Sequence, residues 1–425
     1  MFWSRRLTRA CTCQPAHWRC VTGEVVLAPP AGDAQRVRLQ WIGDSNRNGL
    51  TKLYRTSTTL AVLVCSIACG GDGGSQIALE QWRIDPEPLV AVGDVDAEDP
   101  YLFARIAGVE LLSDGRIVVA DGMSGTIRVF FSDGRFDRQM GGIGDGPGEF
   151  RYINSLRVSY PDTILAYDSR ALRLTAFLAT GELVSTVSFT SPDGWPEVYL
   201  GTYSDGSHAG AWIRQEPRDP SAVTADQMVL GRFDPDGRLG SILGNAVGMR
   251  RMGSPLPFSP HFLAAMVGDT VYHTDGLGGI LEATGPSGEA LELVSVPGRA
   301  WEADEALMRL EPTLTEGWSE RLQDLTGRVA LDAVPTVSEI LADDEGRLWA
   351  KEYVPETDSH WNGRRRTGGE WVVVKLDGSL VARVAVPEGV RPVAIRDGRI
   401  LGVAFDEYDV ERVQVHAIER GRPAT

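Results

Sequence analysis

Cysteine is scarce and confined to one end of the chain. The five cysteines stand at positions 11, 13, 20, 65 and 69, so nothing beyond residue 69 can form a disulfide or act as a thiol nucleophile. Cys11, Cys13 and Cys20 with His17 match no standard zinc-finger spacing. Histidine is nearly as sparse: the chain has 6 in 425 residues, and none falls in a His-x-His or His-Glu-x-x-His spacing. No Gly-x-Ser-x-Gly elbow occurs, which removes the commonest serine-hydrolase signal. Basic residues are few after residue 68, where 33 Lys and Arg face 55 Asp and Glu. So acidic a surface repels phosphate backbones and excludes nucleic-acid partners and a polybasic membrane patch. The longest apolar run, near residues 60–65, is too short to span a bilayer.

What is plentiful is glycine. The 48 glycines follow no Gly-X-Y period and come with 24 prolines, a composition of many tight turns between short strands. At 43% hydrophobic residues the chain has ample material for a packed core.

The N-terminal region reads as an address label. Lys52 and Arg55 precede the short apolar run Leu60-Ala-Val-Leu-Val, which ends in Ile67, Ala68 and Cys69. That order of charge, apolar stretch and small residues is a secretory signal, and it resembles a bacterial lipoprotein signal with Cys69 as the lipidated residue. Ser66 departs from the branched aliphatic usual three places before such a cysteine. Gly70-Gly-Asp-Gly-Gly-Ser75 has the composition of a flexible tether. The expected organisation is a leader without structure over 1–49, with translation starting near Leu50, a signal over 50–69, a tether over 70–79 and one folded domain over 80–420. Gly70 in place of Asp after the cysteine leans toward the outer membrane.

A repeat organises the folded part. Asp121 stands six residues after the turn glycine Gly115, and the next turn glycine, Gly134, follows thirteen later. The same spacings recur from Asp162 through Asp168 to Gly181, and from Asp269 through Asp275 to Gly288. Weaker copies run from Gly346 to Glu352 and from Asp397-Gly398 to Asp406. Six units follow, near 104–148, 149–193, 195–248, 257–298, 334–388 and 390–418, with the third degraded. Units of this length, each an antiparallel set of short strands, cannot bury both faces alone and stack as propeller blades. Trp82 to Val92 is strand-like without a unit of its own and is expected to complete the last blade. The expected fold is all-β, a six-bladed β-propeller. A helical insert over 300–328, between blades four and five, is marked by Trp301, Leu307, Leu310, Leu314, Trp318, Leu322 and Leu325 at helical spacing, broken near Pro312.

The linker Gly141-Gly-Ile-Gly-Asp-Gly-Pro-Gly-Glu-Phe150, the Ser-Asp-Gly-Arg turns and the closing Phe405 to Val415 segment resemble a six-bladed β-propeller family of bacterial lipoproteins related to NHL repeats. The resemblance covers about residues 80–420 and implies fold and export more than activity. The glycine-rich linker is not a phosphate cradle, because a strand and not a helix follows it.

Three groups of residues are candidates for function. Asp121, Asp168, Asp275 and Glu352 recur at one end of equivalent strands; they read first as acceptors for turn N–H groups, and as a channel ring they would suit Ca²⁺. NHL-type lyases, which the fold resembles, gather histidines from several blades around a metal, which makes His208, His261 and His273 the histidine candidates. The excursion from Pro355 to Glu370 carries His360, Trp361, Arg364, Arg365 and Arg366, a combination suited to an anionic or sugar ligand. Together these predict an exported, lipid-anchored module of the periplasm or outer membrane. It would bind a small molecule or a protein without chemistry or a required cofactor. The alternative is a metal-dependent NHL-type lyase or hydrolase working at the central channel.

Overall fold

The computed structural model describes residues 79–421 apart from 95–98, 160, 193, 195, 215–221, 253, 328, 330–332, 360–367 and 407–408. Two strands come first, β1 (Glu80–Ile84) and β2 (Val90–Val92). Blade one is β3 (Ile106–Leu111), β4 (Ile117–Asp121), β5 (Thr126–Phe130) and β6 (Phe136–Gly141). Blade two is β7 (Ile153–Ser159), β8 (Thr163–Asp168), β9 (Arg173–Leu178) and β10 (Leu183–Ser188). Blade three is β11 (Val198–Thr202), β12 (His208–Ile213), β13 (Thr224–Phe233) and β14 (Leu239–Met252), with the short β15 (Ser254–Pro255). Blade four is β16 (Leu263–Val267), β17 (Thr270–Thr274), β18 (Ile280–Thr284) and β19 (Val294–Ser295). Blade five is β20 (Val337–Ala342), β21 (Leu348–Glu352), β22 (Gly369–Val374) and β23 (Leu380–Val386). Blade six is β24 (Val390–Arg396), β25 (Arg399–Phe405) and β26 (Glu411–Arg420), completed from the N-terminal side.

Each blade is an antiparallel meander, and the first strands β3, β7, β11, β16, β20 and β24 pack on one another in a closed circuit. The fold is a six-bladed β-propeller. Closure uses both ends of the chain. β1 and β2 pair antiparallel with β26, Trp82 opposite Arg420 and Val90 opposite Val415. β1 also pairs in parallel with β23, Glu80 opposite Ala382, so blades five and six run on into each other.

The sequence of each strand follows its radial place. β4 (Ile-Val-Val-Ala-Asp) is buried at every position because both its faces meet neighbouring blades, and its β-branched residues suit that setting. β10, on the rim, exposes nearly every residue and is rich in Ser and Thr. The core is split among the six contacts between blades. Val118, Ala120 and Ile127 of blade one meet Ile153, Leu156 and Ile164 of blade two, and Leu401, Val403 and Val413 of blade six meet Val109 and Phe130 of blade one. Each Val, Leu, Ile or Phe among them contributes about 1.5–3 kcal/mol on full burial, and no blade could bury it alone.

Turns repeat a device at the opposite end from the blade crossings. Asp114, Asp133, Asp236 and Asp377 each accept the N–H two residues on, the side-chain bond that favours Asp at the start of such turns. Neighbouring turns are also stapled across blades. Asp162 accepts Ser113 N at 2.8 Å and Ser113 Oγ at 2.6 Å, Asp269 accepts Ser204 N at 2.7 Å, and Asp344 accepts Asp397 N at 2.7 Å. These contacts join blades one to two, three to four and five to six.

Blade three is a full blade, although its spacing in the sequence is degraded. Its third and fourth strands have 10 and 14 residues, which stretches the interval between turns and hides the repeat. The insert is helical as expected: α1 (Ala303–Leu310), a short 3-10 turn with Pro312 near its start, and α2 (Glu316–Thr326). Its apolar side covers Met252 and Leu256 before blade four and Phe258, Val334 and Tyr353. Trp301 Nε1 donates to the Tyr353 carbonyl at 2.9 Å, fixing the insert to blade five.

Candidate binding site at the channel mouth

The innermost strands decide which side chains face the axis. Side chains alternate along a strand, so about every second residue of these strands faces the central channel. Toward the ends of these strands Glu110 of β3, Arg157 of β7 and Arg396 of β24 meet a wall of small and aliphatic residues from β11, β16 and β20 around a cavity of about 60 Å³. Toward the starts of the same strands the channel widens to about 300 Å³, lined by Asn154, Ser155 and Arg157, by Glu197 and Tyr199, by Glu339 and by Arg391. Arg157, Leu341 and Val393 line both spaces, which join them as waist and mouth.

The waist holds an ion pair. Glu110 is 1% exposed; its Oε1 accepts Arg396 Nη2 at 3.2 Å, and Arg396 Nε stands 3.1 Å from Oε2. Burial raises the Glu110 carboxyl above its ordinary value, against the pull of Arg396 and Arg157. Arg396 is held in turn by the Ala342 and Ile395 carbonyls at 3.2 and 2.8 Å. At the mouth Asn154 Nδ2 donates to the Glu197 carbonyl at 2.8 Å, while its Oδ1 is buried without a hydrogen-bond partner. Glu197 is likewise raised, first by burial and then by Asp226.

The recurring acids stand at this same end but away from the axis, at the ends of second strands. Asp121 lies opposite Ile106 and Asp168 opposite Ile153. Both are filled by backbone. Asp121 accepts Ala104 N and Arg105 N, each at 3.0 Å. Asp168 accepts Arg151 N at 2.6 Å, Tyr152 N at 3.2 Å, Arg170 N at 2.9 Å and Ala171 N at 2.8 Å. Each therefore ties the chain entering its blade to the turn leaving the second strand. Asp275 accepts Leu277 N at 2.8 Å, and Glu352 pairs with Arg383. The acids do not form a channel ring: none of the four lines the waist or the mouth.

The histidines are spread as well. His208 opens β12, at the turn end, with Nδ1 3.2 Å from Thr202 Oγ1 and its ring against Phe189. Burial pushes its pKa down to about 4. His273, near the far end of β17, sits 3.0 Å from Thr284 Oγ1 and stacks on Phe262, and burial lowers it too. His261 lies 3.3 Å from the Ser338 carbonyl of β20. Among the described residues no three His, Cys, Asp or Glu side chains converge as a metal-ligand set. His360, Trp361 and Arg364 to Arg366 lie outside the described residues, as does Cys69. Blade five's excursion is anchored by a buried pair, Lys351 Nζ to Asp358 Oδ1 at 2.6 Å, with Ser338 Oγ and Val354 N also donating to Asp358.

The glycine-rich linker is a closed knot between blades one and two. Phe150 N donates to the Gly142 carbonyl at 2.8 Å and Gly144 N to the Phe150 carbonyl at 3.1 Å, while Arg173 clamps the Asp145 and Glu149 carbonyls. Gly141, at φ +82°, has no room for a side chain, since a Cβ would stand 2.7 Å from the Gly125 carbonyl oxygen.

A family described as a 6-bladed beta-propeller, DUF5128, matches residues 95–190, which hold blades one and two. No curated protein matches the chain. Among solved structures the chain is similar to a DUF4221 family member from Bacteroides vulgatus, at TM-score 0.50 and 12% identity over 82% of this chain and 99% of that one. It is also similar to a candidate exported protein from Bacteroides fragilis, at TM-score 0.47 and 13% identity over 83% and 98%. A third is virginiamycin B lyase from Staphylococcus aureus, at TM-score 0.37 and 12% identity over 81% and 89%. At such identities the likeness concerns the fold alone.

The residues that line the waist and mouth were missed as candidates in the sequence. Their signal is a lone charge inside an apolar first strand, as in Val109-Glu110-Leu111 and Leu156-Arg157-Val158.

Proposed function

We propose that this chain is an exported, lipid-anchored β-propeller that binds a small polar ligand at the mouth of its channel. The observation that carries the reading is the mouth itself: five of the six innermost strands build a space of about 300 Å³ whose wall mixes Arg157, Arg391, Glu197 and Glu339 with a buried Asn154 oxygen that has no partner. A concave site with a few convergent polar groups is where ligands bind in general. Asp358 and the start of β22 stand at this same end; Trp361 and Arg364 to Arg366, outside the described residues, enter as ligand contacts on their chemistry alone. Export and the anchor rest on the signal-like segment ending at Cys69.

The test is thermal unfolding of the purified full-length chain against a panel of small polar metabolites, beside Arg391→Ala and a triple Arg364→Ala, Arg365→Ala, Arg366→Ala variant. A ligand that stabilises the wild type and not Arg391→Ala supports the mouth. Stabilisation unchanged by Arg391→Ala overturns it, and an unaffected triple variant removes the arginine loop from the ligand contacts. For the anchor, Cys69→Ser should release the protein from the membrane fraction, and a Cys69→Ser protein that stays bound overturns lipidation.

A further inference from the structure

The class of ligand can be narrowed, on the premise that the channel mouth is the site. Two groups on the channel wall keep hydrogen-bonding capacity that the protein does not fill, and they are opposite in kind. Glu110 Oε2 is buried and accepts no hydrogen bond, because the nearby Arg396 Nε points off-line. Arg157 donates a single hydrogen bond, Nη1 to the Leu156 carbonyl at 3.0 Å, which leaves Nε and Nη2 without an acceptor among the described residues. Both line the waist, and Arg157 also lines the mouth, so a buried acceptor without a hydrogen bond and the spare donors of a half-buried guanidinium border shared space.

Each selects a partner. The planar guanidinium of Arg157 matches a carboxylate. The Glu110 oxygen, beside Arg396 Nε but without a hydrogen bond from it, selects an N–H or O–H donor aligned with its lone pair, a charged donor most strongly. Charge balance points the same way. Among the described residues the wall of waist and mouth carries Arg157, Arg391 and Arg396 against Glu110, Glu197 and Glu339, so a ligand with net charge would unbalance the pairs at the buried waist. A ligand with one charge of each sign would not. Size sets the orientation: the waist, at about 60 Å³, holds a few waters' worth of atoms, enough for an ammonium and its carbon. The mouth takes the rest.

We propose that the channel binds a zwitterionic α-amino acid, its ammonium on Glu110, its carboxylate on Arg157 and its side chain toward Arg391. The experiment is calorimetric titration of the purified full-length chain with the common L-α-amino acids, then with the N-acetyl and methyl-ester derivatives of whichever binds. The expected result is that each derivative binds about tenfold or more weakly. Glu110→Gln should abolish discrimination against the N-acetyl form and Arg157→Met discrimination against the ester. If Glu110→Gln does not fold, the derivatives on the wild type still decide. An N-acetyl form that binds as well as the parent overturns the proposal. So does a ligand of one charge sign that binds in an Arg391-dependent way while every amino acid fails, and that outcome leaves the mouth standing as the site. Absence of any Arg391-dependent binding overturns both.

Discussion

Asp168 should be one of the most costly single side chains to remove, and its counterpart Asp275 one of the cheaper, although the sequence repeats them in the same place. Asp168 is fully buried and its two oxygens accept four backbone N–H groups at 2.6–3.2 Å. A hydrogen bond to a charged group contributes about 1.5–3 kcal/mol. Arg151 and Arg170 are exposed, so water reaches part of what alanine leaves behind, and the net loss for Asp168→Ala is about 4 kcal/mol. Asp275 accepts one N–H at half-buried Leu277, and Asp275→Ala should cost about 1 kcal/mol. Urea unfolding followed by tryptophan fluorescence measures both, and the gap of about 3 kcal/mol is the test. Adding Ca²⁺ or a chelator should change neither value. Equal losses, or a loss at Asp168 that follows Ca²⁺, would refute the assignment of these acids as backbone staples.

Three further outcomes concern other buried ionisable groups. Asp358→Ala should cost about 3–5 kcal/mol because it strands Lys351, 1% exposed, without its partner; replacing both by apolar residues should recover much of it, and a loss unchanged by the double replacement would show that the pair is not what the mutation breaks. His208, depressed to about 4 from an ordinary 6.5, binds its proton more weakly folded than unfolded. Its contribution is complete above about pH 6.5 and lost as pH falls to 4, about 3 kcal/mol in all, and His208→Phe should flatten that stretch of the stability curve. Glu110 works in the other direction: its folded carboxyl is raised above 4.5, so stability falls as pH rises from about 4.5 through the folded value, and Glu110→Gln should remove that fall; a curve identical to the wild type would contradict the burial argument.

What the sequence displays and what it hides have one cause. Repetition marks what every blade needs. The turn aspartates and the acids six residues beyond them recur because each blade must close a hairpin and tie its entering strand, as Asp121 and Asp168 do. That made the architecture legible down to the closing role of Trp82 to Val92. The same regularity drew attention to acids whose oxygens are already occupied. The channel residues differ from blade to blade: Glu110 in the first, Arg157 in the second, Ala264 to Met266 in the fourth, Arg391 and Arg396 in the sixth. They make no pattern, and only knowledge of which strand is innermost, and which of its faces meets the axis, separates them from ordinary strand residues. The lengthened β13 and β14 hid blade three for a related reason, since a hairpin can grow at its far end without disturbing the ring.

The most direct measurement is a crystal structure of the full-length chain with a ligand that raises its melting temperature. The account predicts density in the channel touching Arg157 and Arg391. Density elsewhere, in the cleft of Asn245, His273 and Asp275 between blades three and four or on the helical insert, with the channel unchanged, would contradict it.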